Sequence, residues 1–210
     1  MARYIDAKCR LCRRIGEKVM LKGERCYSEK CAVERRKAVP GQKANSKRRP
    51  KISDRGLQLR EKQKARYTYG MMEKQFHKTF GTAETLAGIT GDNLIVLLER
   101  RLDNIVFRLG FAKSRAQARQ VVRHGHIQLN GHLTDIPSCL VKAGDTISWR
   151  ENSTKNEYYK IMAETVRDKM LPTWLSLDLE KVEGKVMSIP TREDIGPKFD
   201  IKAIVEYYSR

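Results

Sequence analysis

Four of the five cysteines in this 210-residue chain lie at positions 9, 12, 26 and 31, inside CRLCRRIGEKVMLKGERCYSEKC. Cys9 and Cys12 form a C-x2-C pair, and Cys26 and Cys31 form a C-x4-C pair. Two short turns of this kind can each direct two sulfurs at one point, the arrangement a tetrahedral metal ion requires. Disulfides fit less well, because the cysteine count is odd and nothing marks the chain for an oxidising compartment. Four thiolates around Zn²⁺ leave the site at −2, and Arg10, Arg13, Arg14, Arg25 and Lys30 can offset that charge while keeping the thiols deprotonated. Few large apolar residues lie between the pairs, so a metal would do there what a core does elsewhere. No ligand position is left open for catalysis. An iron–sulfur cluster accepts the same four thiolates, and spacing alone does not separate the two. Cys139, alone and distant, reads as a small core residue.

The charge balance points to the partner. The chain carries 43 Lys+Arg against 25 Asp+Glu, a net +18, with 40% hydrophobic residues. Such an excess repels itself unless a polyanion takes it up. It is also uneven: residues 1–50 carry +11, whereas residues 151–210 carry −1. The polyanion is therefore expected on the first three-quarters, with the tail left for packing or for protein neighbours. No apolar run approaches the ~20 residues of a membrane span. The start, MARYIDAKC, lacks the apolar core of a signal peptide, which predicts a cytoplasmic protein.

Several elements must position these charges. After the cysteines, ERRKAVPGQKANSKRRPK is a basic arm whose Arg48, Arg49 and Lys51 lead into a helical stretch broken near Gly70. There Arg60, Lys62, Lys64 and Arg66 project on several sides, so only some can face one groove. NLIVLLERRLDNIVFRLG reads as one core-facing helix closed by Gly110. In FAKSRAQARQVVRHGHIQLNGHL, Ser114 and Gln117 predict a capping box, and Gly125 ends the helix. Arg115, Arg119 and Arg123 fall at i, i+4 and i+8, one ridge extended by Lys113 and His124. No acidic residue lies between Asp103 and Asp135, so the segment offers these arginines no internal partner. HIQL-NG-HLTD then predicts a hairpin around Asn130–Gly131, and DTISW a further strand. Beyond it come a helix over YYKIMAETVRDKM, strands with a turn at Glu183–Gly184–Lys185, and a closing helix. That last helix is capped by Asp200 and has its apolar stripe on Ile201, Ile204, Val205 and Tyr208.

SRAQARQVVRHGHIQLNGHL resembles the RNA-binding module named after small-subunit ribosomal protein S-four. CRLCRRIG…LKGERCYSEKC, PGQ, LREKQKARYTYG…EKQF, ERRLDNIVFRLGFA, WLSLD and IVEYYSR extend the resemblance to the bacterial-type family over nearly the whole chain. The resemblance implies an α+β fold, with an N-terminal zinc-binding module (1–45) and a helical domain (46–97, completed by 190–210). Into that domain is inserted an α/β RNA-binding domain, a two-helix turn plus small antiparallel sheet (98–160), followed by a C-terminal helix, strands and closing helix (161–210). It implies a structural, non-catalytic protein of the small ribosomal subunit that binds its RNA early and helps nucleate assembly. Further implications are a place close to where messenger RNA enters, beside neighbouring ribosomal proteins, and a part in decoding accuracy. Some family members also repress their own translation. Carried over residue by residue, the metal ligands are Cys9, Cys12, Cys26 and Cys31. The RNA-facing edge is Lys113, Ser114, Arg115, Arg119, Arg123, His124 and Asn130, with Arg48, Arg49, Arg60, Lys62, Lys64 and Arg66 from the arm and first long helix. One departure is that the family often continues PGQ with His-Gly, whereas Lys43 and Ala44 follow here.

Two other classes fit less well. An RNA-modifying enzyme would need a nucleophile with a partnered base, a phosphate-cradling loop or an open metal site, none of which the sequence offers. A DNA-reading regulator would need more base-reading side chains than Gln117 and Gln120 on the helix after Ser114.

Overall fold

The computed structural model describes residues 3–36, 38–41, 52–167 and 169–209. In chain order its elements are α1 (Lys8–Ile15), a 3-10 turn (Gly23–Cys26), α2 (Ala32–Arg35), α3 (Asp54–Thr68), α4 (Glu73–Thr85), α5 (Thr90–Glu99), α6 (Leu102–Leu109) and α7 (Arg115–Arg123). There follow β1 (Ile127–Leu129), β2 (His132–Leu133), β3 (Thr146–Trp149), α8 (Glu151–Thr154), α9 (Glu157–Val166), β4 (Leu175–Asp178), β5 (Glu183–Val186), α10 (Arg192–Ile195) and α11 (Ile201–Tyr208). The chain divides into two compact units, one of residues 1–91 with 197–210 and one of residues 92–196. The boundary after residue 160 that the resemblance implies lies within α9.

In the first unit α11 lies along α3. Its apolar stripe is what drives it there, since Ile201 and Ile204 are buried. Polar pairs set the register: Gln58 Nε2 donates to Glu206 at 2.8 Å, and the Asp200 N–H donates to Glu61 at 2.9 Å. Asp200 caps α11, accepting from the N–H groups of Lys202 and Ala203. The Tyr208 ring lies 4.5 Å from that of Phe80, tilted by 30°, and its hydroxyl donates to Glu73 at 3.0 Å. Burial and the Glu73 carboxylate both push the Tyr208 phenol upward. Near the N-terminus, Cys12, Ile15 and Val19 form a small apolar cluster with Leu21, Val33 and Tyr67 against it.

The second unit is one antiparallel sheet with helices packed on it, in strand order β2-β1-β3-β5-β4. Its core joins Leu102, Ile105, Val106 and Leu109 of α6 to Ala118, Val121 and Val122 of α7. Ile127, Ile147, Trp149 and Val186 contribute from the sheet, and Trp174 from just before β4. The hairpin forms as expected: Asn130 (φ 52°) and Gly131 (φ 76°) both take the left-handed conformation that a tight two-residue turn needs.

Two expectations are corrected. NLIVLLERRLDNIVFRLG is two helices, not one. Arg101 is extended and bridges Leu140, while the Leu102 N–H donates to the Cys139 carbonyl at 2.9 Å and the Val141 N–H to the Arg100 carbonyl at 2.9 Å. The returning segment 139–141 thus claims the backbone groups that a continuous helix would use. The turn at Glu183–Gly184–Lys185 is in fact strand β5, paired with β3 and β4. The turn lies earlier, where Asp178 accepts from the Glu180 N–H at 2.9 Å and Val182 is left-handed (φ 51°). Gly184 is required for close packing: a Cβ there would lie 2.4 Å from Leu109 Cδ1.

Candidate nucleic-acid interface and thiol cluster

Helix α7 starts where the sequence places it. Ser114 Oγ accepts from the Gln117 N–H at 3.3 Å, and Gln117 Oε1 reaches back to the Lys113 N–H at 3.0 Å, one residue before the cap itself. The apolar stripe Ala118, Val121, Val122 packs on α6. Along the arginine ridge, however, the three guanidinium groups have different fates.

Arg123 is exposed, as are His124 beside it and Lys113 at the opposite end of the helix. Arg119 is buried, and its Nη1 donates to Asp103 Oδ2 at 3.0 Å. Arg101 grips the same carboxylate on both oxygens, at 3.1 and 2.8 Å. Burial lowers the Arg119 pKa while the Asp103 charge opposes that shift, and an arginine so placed remains protonated at neutral pH. Arg115 is intermediate: its Nε donates to Asn104 Oδ1 at 2.8 Å, and its guanidinium lies 4.6 Å over the Phe107 ring. Glu99, fully buried, accepts two hydrogen bonds from Arg108 at 2.9 and 2.7 Å and stands 3.9 Å from Arg115. The expectation that Arg115, Arg119 and Arg123 form one outward ridge is therefore corrected. The carboxylates that meet Arg115 and Arg119 are Glu99 of α5 and Asp103 in the first turn of α6, which lie at or before the edge of the acid-free segment 104–134. A signal was present in the sequence: charged residues cluster as ERRLD within an otherwise apolar run.

Other cations gather near Arg115. Lys169 Nζ donates to the Phe107 carbonyl at 2.6 Å and lies 5.0 Å over its ring. Burial, with Arg108 and Arg115 close by, brings its pKa down to about 8. At the other end of α7, His126 Nδ1 is 2.9 Å from Ser153 Oγ, and its ring stacks on Trp149. Burial lowers its pKa, with His124 and Arg150 nearby adding to the shift, which favours the neutral ring. Asn130 closes the hairpin to its neighbour: it accepts from the Thr146 N–H at 2.8 Å and donates to Asp145 at 2.9 Å.

Four basic residues of α3 also meet protein partners. Lys62 is buried and pairs with Glu73 at 2.6 Å, Arg66 reaches the same carboxylate at 3.6 Å, Lys64 pairs with Glu17, and Arg60 donates to the Ile15 carbonyl. Of the four cations expected to project on several sides, Lys62 is thus buried, and Arg60, Lys64 and Arg66 are partly buried beside protein partners. Burial opposes the charged form of Glu73, but the hydrogen bonds from Lys62 and Tyr208 outweigh it and hold the carboxyl below its usual range. Arg48, Arg49 and Lys51 lie outside the described residues.

The four thiols meet in one neighbourhood. Cys9 and Cys12 sit on α1, Cys26 ends the 3-10 turn and Cys31 precedes α2. All are reduced, and Cys12, Cys26 and Cys31 are buried. The Lys22 N–H donates to Cys26 Sγ at 3.3 Å, and Cys12 Sγ accepts from the backbone at Val19. Burial raises the Cys12 thiol, the Val19 hydrogen bond opposes it, and the other three thiols add to the rise. Among the described residues no three His, Cys, Asp or Glu side chains are drawn together tightly enough to hold an ion. No helix of the described residues is long and apolar enough to cross a membrane.

Two family models match the chain, a ribosomal protein S4/S9 N-terminal domain over residues 3–99 and an S4 domain over residues 100–147. The second contains α6, α7 and the hairpin. Small ribosomal subunit protein uS4 of Dehalococcoides mccartyi is 53% identical over 210 residues, all of both chains. The uS4A proteins of Alkaliphilus oremlandii and Clostridium novyi are 54% and 55% identical, again over the full length of each. Identity of this degree from end to end, with the S4 domain falling on the cationic helix and hairpin, means that the chain belongs to the bacterial small ribosomal subunit protein uS4 family.

Proposed function

We infer that the chain is a structural protein of the small ribosomal subunit, in the cytoplasm, that binds small-subunit ribosomal RNA and neighbouring ribosomal proteins. The observation that carries this reading is the match to uS4 proteins over the whole length, with the S4 domain falling on α7 and its hairpin. The net charge of +18 supplies the attraction, since each cation that neutralises a phosphate releases a counterion. Lys113, Arg123 and Arg150 are the cations this face presents to phosphates, and His124 is exposed on it as a hydrogen-bonding ring. Arg115 adds a guanidinium fork whose plane is already set. Contacts of this kind recognise the shape of a folded RNA without reading its bases. The role is structural and not catalytic. Early binding in assembly, a position near incoming messenger RNA and an effect on decoding accuracy belong to the same reading.

The thiol cluster completes it as a zinc module. Cys9, Cys12, Cys26 and Cys31 would hold one Zn²⁺, and the ion would supply structural cross-linking with no open coordination site. The chemistry around the thiols supports this: backbone N–H groups point at Cys12 and Cys26, as they must to stabilise sulfur carrying negative charge. Two experiments test the reading. In a lysate spun through a sucrose gradient at moderate salt, the protein should sediment with the small subunit, and a peak of free protein alone refutes the ribosomal assignment. Elemental analysis of purified protein in reducing buffer should give one zinc per chain. Absence of metal with four rapidly alkylated thiols refutes the zinc module.

A further inference from the structure

A carboxylate beneath a face that meets a polyanion lowers its attraction for that partner, so Glu99 needs another reason to be there. It is fully buried and holds Arg108 through two hydrogen bonds. It also accepts from Asn104 Nδ2 at 2.6 Å, and the same Nδ2 bonds the Glu99 backbone carbonyl at 3.0 Å. With its nitrogen fixed at both points, Asn104 presents its Oδ1 in one direction, and that oxygen takes the Arg115 Nε at 2.8 Å. Beneath, the Phe107 ring supports the guanidinium plane at 4.6 Å. Arg115 keeps 21% of its side chain exposed. Its fork is thus fixed along one edge and one face, while part of the side chain stays open to solvent.

We propose that Glu99 and Asn104 are specificity-determining residues: they fix the orientation of Arg115 so that this face favours folded RNA over flexible single strands. The proposal rests on the reading that the α7 face binds RNA. A rigid array of phosphates cannot adjust to a mobile cation, so it gains when the cation is already ordered. A flexible strand adapts to an ordered or a mobile arginine alike, and gains little. Loosening Arg115 should therefore weaken the folded partner selectively.

The test compares binding of the full chain to refolded small-subunit ribosomal RNA and to a uridine homopolymer, each at several salt concentrations. Asn104→Ala removes the anchor without changing charge. It should lower affinity for the folded RNA about three- to tenfold, the scale expected for ordering one long side chain. Homopolymer affinity and both salt slopes should hold. Arg115→Lys keeps the charge but loses the Nε anchor and the planar fork, and should do the same. It carries the test if Asn104→Ala fails to fold. An unchanged ratio of the two affinities overturns the proposal, as does an equal fall in both, which marks mere structural damage. A triple Lys113→Ala, Arg123→Ala, Arg150→Ala variant separates the two levels of inference. If that variant leaves folded-RNA affinity and salt slope intact, the RNA does not sit on this face and the underlying reading fails. If it weakens binding while the anchor variants keep the wild-type ratio, the specificity proposal alone fails.

Discussion

Replacing Asp103 with asparagine keeps shape and volume but removes one charge from a cluster that burial makes sensitive. Asp103, Arg101 and Arg119 are 4%, 4% and 7% exposed. The carboxylate accepts three hydrogen bonds, two from Arg101 and one from Arg119. The amide leaves two buried guanidiniums facing one neutral oxygen and an N–H₂ that repels them. Removing one partner from a buried ion pair costs about 3–5 kcal/mol. That is a large part of the about 5–15 kcal/mol that holds a domain folded. At a urea slope of about 2 kcal/mol/M the midpoint should fall by about 2 M. Trp149 and Trp174 are the chain's two tryptophans, and both lie in the core of the second unit, so intrinsic fluorescence reports its unfolding directly. In an Arg119→Met background the same change should cost about 1–3 kcal/mol less, because one of the stranded cations is already gone. A loss below about 1 kcal/mol, or simple additivity of the two changes, would refute the argument that the cluster is a tightly coupled buried unit.

Three further outcomes follow from individual contacts. Lys169 has a folded pKa of about 8 against an ordinary 10.5, so the folded state binds fewer protons than the unfolded one between those values, and stability should rise with pH across that window. Lys169→Met should accordingly raise the melting temperature most at pH 7 and lose that advantage by about pH 10, as thermal scans across pH would show. Gly184→Ala should cost about 1–3 kcal/mol in urea titrations, because its methyl would meet Leu109 inside the core, and a neutral effect would mean Leu109 can move aside. Deleting residues 201–210 should expose Phe76 and Phe80, which pack against Tyr208, and speed proteolysis of α3 and α4. An unchanged digestion pattern would remove α11 from the core of the first unit.

Local signals read well from the sequence because the physics behind them is local. The Asn-Gly hairpin, the Ser114 cap, the Asp200 cap and the break near Gly70 each depend on a few consecutive residues, and all appear where expected. Long-range pairing was less legible. The break at Arg101 depends on a segment some forty residues later that takes its backbone hydrogen bonds, and no helical periodicity can announce that. Gly184 looked like a turn residue because a glycine forced by a neighbour's side chain carries no mark of that neighbour. The arginine ridge failed for a similar reason. Spacing along a helix tells which side chains share a face, but a neighbouring helix decides whether that face meets water or a carboxylate. Helix α6 supplies Asp103 to the middle of the ridge, α5 supplies Glu99 near its start, and Arg123 at its end is exposed. The ridge is thus graded from clamped to exposed. Charge alone would predict three equivalent contacts, whereas the packing predicts that Arg119→Ala acts first on stability and Arg123→Ala first on RNA affinity. Measuring both quantities for both variants separates the two accounts, since equal loss of affinity without loss of stability would return all three arginines to a single outward ridge.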